Sequence, residues 1–275
     1  MRFFTRLSNG WKLSMNSFTV LKENKQLIVF PLLSGLSLIL LLASFVTVLL
    51  AGSSWDIEAI TPPGDGTAIL YLFLYYLVNY FVVVFFNMAL VHCSRLYFQG
   101  QKADIATGLR FSMGRIGTIF TWSMFAATVG TALRLLEENA GWIGKIVIGL
   151  IGIVWSVSTF FVVPVIAYED KGPLQAFKSS AQMMREKWGE SIGANFSFGL
   201  VQFAGIILVG GPLFILGALA HPVIGLLLAL PGVMLVMAII SASQTIFISA
   251  VYHNINGDPV KHFNEQLVED LFRGK

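Results

Sequence analysis

Cysteine is almost missing from this sequence. Cys93 stands alone, which excludes an internal disulfide and a thiolate cage for zinc or iron. Charge is scarce too: Lys, Arg, Asp and Glu make up 12% of 275 residues, about half the share of an ordinary soluble domain. Hydrophobic residues reach 56% and mean hydropathy is +0.75, more apolar surface than a water-soluble fold could bury. The surplus of +3 comes from bases scattered over several short segments, not one stripe, so nucleic acid is not an expected partner.

The few charges mark where the chain leaves the hydrocarbon, because an ionised group at mid-bilayer costs several kcal/mol. Charge-free gaps run between Lys25 and Asp56, Asp65 and Arg95, Arg115 and Arg134, and Lys145 and Glu169. A fifth gap, Ser191 to Gly257, is too long for one helix and breaks at Ala220-His221-Pro222. The apolar runs are continuous rather than alternating, and in lipid a helix satisfies its own backbone amides. The sequence therefore predicts an all-α polytopic membrane domain over 1–275. Its six spans fall near 27–51, 67–94, 116–135, 146–168, 192–219 and 223–252. Leu27 to Leu50 reads as a retained span rather than a cleaved signal peptide. Bends are expected at Pro31, Pro164, Pro212 and Pro231.

Bases collect in alternate segments, including Arg2 to Lys25, Arg95 to Arg115, Lys171 to Lys187 and Lys261 to Lys275. By the positive-inside rule both termini are cytoplasmic and three short loops lie outside. The basic segments carry apolar stripes at helical spacing: Phe4, Leu7, Trp11, Met15 and Phe18; Ile105, Leu109, Met113 and Ile116; Leu174, Phe177, Ala181, Met184 and Trp188; Val260, Phe263, Leu267 and Leu271. They predict cytoplasmic amphipathic interfacial helices near 3–22, 103–115, 173–189 and 258–272. Three share a local pattern of apolar residue, base, any residue and serine: Trp11-Lys12-Leu13-Ser14, Leu109-Arg110-Phe111-Ser112 and Phe177-Lys178-Ser179-Ser180. Tyr97 and Gly100, Tyr168 and Gly172, and Tyr252 and Gly257 recur at the ends of even-numbered spans. The chain reads as three units, each an interfacial helix followed by a transmembrane hairpin, closed by a C-terminal helix.

The stretch from Val163-Pro164 through Tyr168-Glu169-Asp170-Lys171-Gly172-Pro173 to Ser179-Ser180, with Gly10-Trp11 and Pro31 to Gly35, resembles uncharacterised prokaryotic six-span families. It is also similar to the membrane domain found with some glycerophosphodiester phosphodiesterases. The resemblance implies a multi-pass protein of a prokaryotic plasma membrane and carries no active site with it; the catalytic phosphodiesterase domain is absent from this sequence.

No catalytic, cofactor-binding or metal-binding set emerges, so the reading leans away from an enzyme. Glu169-Asp170, ahead of Pro173, suits the positive end of a helix better than acid–base work. His92, Cys93 and His253 match no ligand spacing and read as interfacial packing. Asn79, Asn87, Gln202 and Gln244 are the polar residues that a solute path would use, and interhelical hydrogen bonding is their plainer role. Lys12, Arg110, Lys178 and Lys261 are placed to meet anionic head groups. The expected function is a non-enzymatic scaffold or lipid-interacting module, with a transporter or pore for a neutral or amphiphilic solute as the alternative. Membrane lipid is the expected partner, with a second copy or another membrane protein left open.

Overall fold

The computed structural model describes residues 2–52, 55, 65–186, 198–257 and 260, with backbone alone at 2–10, 12, 13, 65 and 186. Its described elements are helical, and six helices are long and apolar enough to cross a membrane: Lys25–Gly52, Gly66–Phe98, Ile116–Glu138, Trp142–Tyr168, Phe198–Ala218 and Pro222–Ile255. At 1.5 Å per residue even the shortest reaches about 30 Å, the thickness of the hydrocarbon. Three further helices, Arg2–Glu23, Ile105–Gly114 and Pro173–Glu186, precede the odd-numbered spans and are termed the first, second and third flanking helices. The expected helix at 258–272 lies, Val260 apart, outside the described residues.

All three flanking helices gather at one end of the bundle. Glu23 accepts a hydrogen bond from Tyr97 Oη, and Gln26 Nε2 donates to the Ala103 carbonyl. Cys93 Sγ contacts the Asp104 carbonyl at 3.4 Å. The fully buried residues cluster toward the same end, among them Leu27, Phe30, Met88, Leu90, Ile119, Phe161, Ile166, Ile246 and Phe247. The second and sixth spans meet there, where Ser249 Oγ donates to the Val91 carbonyl at 3.4 Å. Toward the other end, apolar side chains such as Leu40, Val48, Leu150, Val154, Leu216 and Leu227 point outward, as a lipid-facing surface requires.

Two of the four prolines coincide with an interrupted helix. Pro164 has no N–H to offer the Phe160 carbonyl, and the fourth span pauses at Thr159–Phe161 before resuming as Val162–Tyr168. Phe161 N–H donates instead to Ser180 Oγ of the third flanking helix at 2.9 Å. Pro212 cannot donate to the Leu208 carbonyl, and the turn Ile206–Gly210 ahead of it is a π-helix, the usual accommodation of a disrupted ladder. Pro231 lies inside the uninterrupted helix Pro222–Ile255. Pro31 lies in the first turn of Val29–Gly52, where its missing donor costs nothing.

The expected break at Ala220-His221-Pro222 stands. His221 is extended, its Nδ1 accepts from the Val223 N–H at 3.2 Å, and Pro222 opens the last helix. The second and sixth spans end in left-handed glycines, Gly100 at φ 74 and Gly257 at φ 78, a conformation that costs other residues strain. Gly172, the third glycine of the Tyr-to-Gly pattern, is not left-handed.

Asp104 caps the second flanking helix, its Oδ1 accepting from the Thr107 N–H at 2.6 Å. That hydrogen bond holds its carboxyl below the ordinary Asp value, because it favours the charged form. A folded-state value below the unfolded one means that the cap's contribution is complete above the unfolded value and disappears as pH falls through the folded one. Asp104→Asn, which keeps an oxygen acceptor without the charge, is expected to flatten the acid limb of a pH series of thermal unfolding by losing at neutral pH the part of the stability that the charge contributes. Asp104→Ala is expected to lower stability at neutral pH.

Candidate site at the basic end of the bundle

The flanking helices sit on the bundle through small residues rather than through the whole of their apolar stripes. Ser14, Ser112 and Ser180, the serines that end the three matching tetrads, are each 0% exposed. Ser112 Oγ donates to the Phe85 carbonyl at 2.9 Å, and Ser180 Oγ receives the Phe161 N–H. Gly108 brings the second flanking helix down further. A Cβ there would stand 2.7 Å from Cys93 Sγ, 2.8 Å from Phe30 Cζ and 2.9 Å from the Ala89 carbonyl.

The stripe residues themselves divide. Phe177 is half-buried and stacks on Trp155 at 5.2 Å, in a group with Trp122 and Phe125, whereas Leu174 and Met113 are more than half exposed and Ile116 is also exposed. Part of each stripe therefore faces away from the bundle, and packing selects the side carrying Gly and Ser, since small residues allow the closest approach. Trp188 lies outside the described residues.

Two residues ahead of the buried serines, Arg110 and Lys178 are exposed. The Lys12 side chain and all of Lys261 lie outside what is described. Asn79 and Asn87 are on the second span, Gln202 on the fifth and Gln244 on the sixth, each partly exposed. The two asparagines are about 12 Å apart along their helix axis.

Where the second, fourth and sixth spans end, aromatic and cationic side chains interleave. His92 lies flat on Phe111, ring centres 3.9 Å apart and planes 4° from parallel. Phe111 meets Tyr168 at 5.9 Å, and Tyr168 meets Tyr252 at 6.1 Å and His253 at 5.3 Å. Arg95 Cζ stands 4.4 Å over the Tyr168 ring, and Arg115 Cζ stands 5.5 Å from the Phe111 ring. Both distances suit cation–π attraction. Arg95 and His92 share one face of the second span, three residues apart, while Arg115 is the hinge between the second flanking helix and the third span.

The nearby acids are engaged elsewhere. Glu169 Oε1 accepts from Tyr252 Oη at 2.8 Å, and Glu169 Oε2 meets Lys171 Nζ at 2.6 Å, so this carboxylate joins the fourth and sixth spans instead of facing the next helix, which corrects its expected role. Lys171 Nζ also donates to Ser179 Oγ at 2.7 Å. Among the described residues no carboxylate pairs with Arg95 or Arg115.

Residues 66–262 match a family of unknown function, DUF6159. The chain belongs to that family. The match takes in the second to sixth spans, the second and third flanking helices and every residue of the aromatic–cationic cluster. DUF6159 brings no link to phosphodiesterases. No curated protein matches the chain.

The tyrosines and glycines at the span ends and the bases near them were visible in the sequence as separate features. Their convergence was not, because Arg95, Phe111 and Tyr168 belong to three different helices. The adjacent signal was Tyr168 followed by Glu169, each of which now pairs across spans.

Proposed function

We propose that this chain is a non-enzymatic, lipid-interacting module of a prokaryotic plasma membrane. Both termini and the flanking helices are assigned to the cytoplasmic side, and the flanking helices form a basic collar at head-group level. The observation that carries the reading is the contrast, two residues apart, between exposed Arg110 and Lys178 and buried Ser112 and Ser180. The serines fasten the helices to the bundle while the bases are left to the head groups. Charge asymmetry supports the orientation. At the opposite end Arg134 is paired with Glu137 at 3.2 Å and Glu138 at 2.9 Å, so the two bases described there, Arg134 and the exposed Lys145, are matched by two carboxylates. The three tetrads, each ending in a buried serine, support the reading of three related units.

The test is lipid enrichment. The chain is reconstituted in nanodiscs with equal amounts of phosphatidylglycerol and phosphatidylcholine, and the lipids retained around it are quantified by mass spectrometry. Phosphatidylglycerol is expected to be enriched. Each of Lys12→Gln, Arg110→Gln, Lys178→Gln and Lys261→Gln is expected to reduce the enrichment, by up to about fivefold per charge at about 1 kcal/mol each. If the fourfold variant enriches the anionic lipid as strongly as the parent, the collar has no such role.

A further inference from the structure

We propose that Arg95 and Arg115, with His92 and Tyr168, form a binding site for a single phosphate group at the basic end of the bundle. The first argument is unsatisfied chemistry. Arg95 Nε and His92 Nδ1 are buried without a hydrogen-bond partner, and the Tyr168 hydroxyl has only the Arg95 guanidinium beside it, although buried polar groups are nearly always paired. The three belong to one cluster: Arg95 lies over the Tyr168 ring, and Phe111 lies between Tyr168 and His92. A ligand with several acceptor oxygens would serve all three groups at once.

The second argument is charge. Arg95 lies over the Tyr168 ring and Arg115 over the neighbouring Phe111 ring, so two fixed positive charges flank one small region. No described carboxylate pairs with either, since Glu169 is held by Lys171 and Tyr252 and Asp104 by its own helix. Two unneutralised arginines call for an anion.

The third argument is geometry. A guanidinium lying on an aromatic ring uses its face for that contact and leaves its N–H groups free in the plane, the arrangement suited to forked recognition of phosphate. Phe111 and Tyr168 supply those rings. The site lies at the helix ends, the depth of lipid phosphates, so the ligand is either a phospholipid head group or a soluble phosphate ester. The inference deepens the lipid reading and rests on it for the head-group source. It uses different residues from the collar, so either can fail alone.

The experiment is calorimetric titration of the delipidated full chain in dodecyl maltoside, with dihexanoyl phosphatidylglycerol, glycerol 3-phosphate and inorganic phosphate as separate probes. At least one probe is expected to saturate at one per chain. Binding of the lipid alone identifies a head-group site, and binding of glycerol 3-phosphate or phosphate alone a soluble ester site; either result supports the proposal. Arg95→Gln and Arg115→Gln are each expected to weaken binding about tenfold or more, as loss of a charge-assisted hydrogen bond does. Arg95→Lys, which keeps the charge without the fork, is expected to recover part of the loss. Arg110→Gln combined with Lys178→Gln is expected to leave this titration unchanged while lowering anionic enrichment in nanodiscs. Should Arg95→Gln fail to fold, Arg115→Gln at the helix junction carries the test. Absence of saturable binding by all three probes, or parental affinity in a folded Arg115→Gln variant, overturns the proposal.

Discussion

Gly217→Ala is expected to destabilise the chain by about 1–3 kcal/mol, the usual cost of forcing a methyl group into a filled contact. Gly225→Ala is expected to behave similarly. A Cβ at Gly217 would stand 2.7 Å from both the Cα and the N of Gly225 and 2.8 Å from the Ile224 carbonyl carbon. A Cβ at Gly225 would stand 2.7 Å from the Phe214 carbonyl oxygen. The obstructing atoms are mainly backbone and cannot rotate away, so the fifth and sixth spans would have to separate beside their connecting turn. The opposite sign is expected at Gly149, which is in a helix with nothing within 4 Å of a Cβ. Gly149→Ala should gain up to about 1 kcal/mol, the helix preference of Ala over Gly. Equilibrium unfolding in mixed detergent micelles measures all three. Equal effects at Gly217 and Gly149 would show that the close approach contributes nothing.

The second large effect is expected at Ser180. Its hydroxyl receives the N–H of Phe161, at the interruption where the neighbouring amides bond three residues back, Phe160 to Val157 and Val162 to Thr159. Ser180→Ala removes the acceptor, and a buried unpaired amide costs about 1–3 kcal/mol. Ser179→Ala, one residue away, loses only a contact with the part-exposed Lys171 and is expected to change stability by less than about 0.5 kcal/mol. Hydrogen exchange at the Phe161 amide gives a local reading: it should accelerate in Ser180→Ala and stay slow in Ser179→Ala.

These two sites show what could be read from the residues alone. The six spans were legible because the cost of burying charge acts on each residue separately, so Lys25, Asp65, Arg115 and Glu169 bracket spans without knowledge of any neighbour. His221-Pro222 was legible for a related reason, since a capping side chain and a residue without an N–H both act locally. The way Pro164 is relieved was not legible, because the acceptor that compensates, Ser180, belongs to another helix. The tetrad serines stood out as a recurring pattern, but their burial is a property of packing. Stripes such as Leu174 and Met113 mark an apolar side by their periodicity without saying whether lipid or protein covers it, since in a membrane both are apolar. The cluster of His92, Arg95, Arg115 and Tyr168 was hidden most completely, since it forms only when three spans and a flanking helix end at one level.

The orientation of the basic end underlies both the collar and the phosphate site. In a Cys93→Ser background, Asn139→Cys at the acidic end and Gln101→Cys at the basic end, both exposed positions, can be treated with a membrane-impermeant maleimide in intact cells. Labelling is expected at position 139 without permeabilisation and at position 101 only after it. Labelling at 101 in intact cells, with 139 protected until the membrane is opened, would place the basic end outside and contradict the assignment.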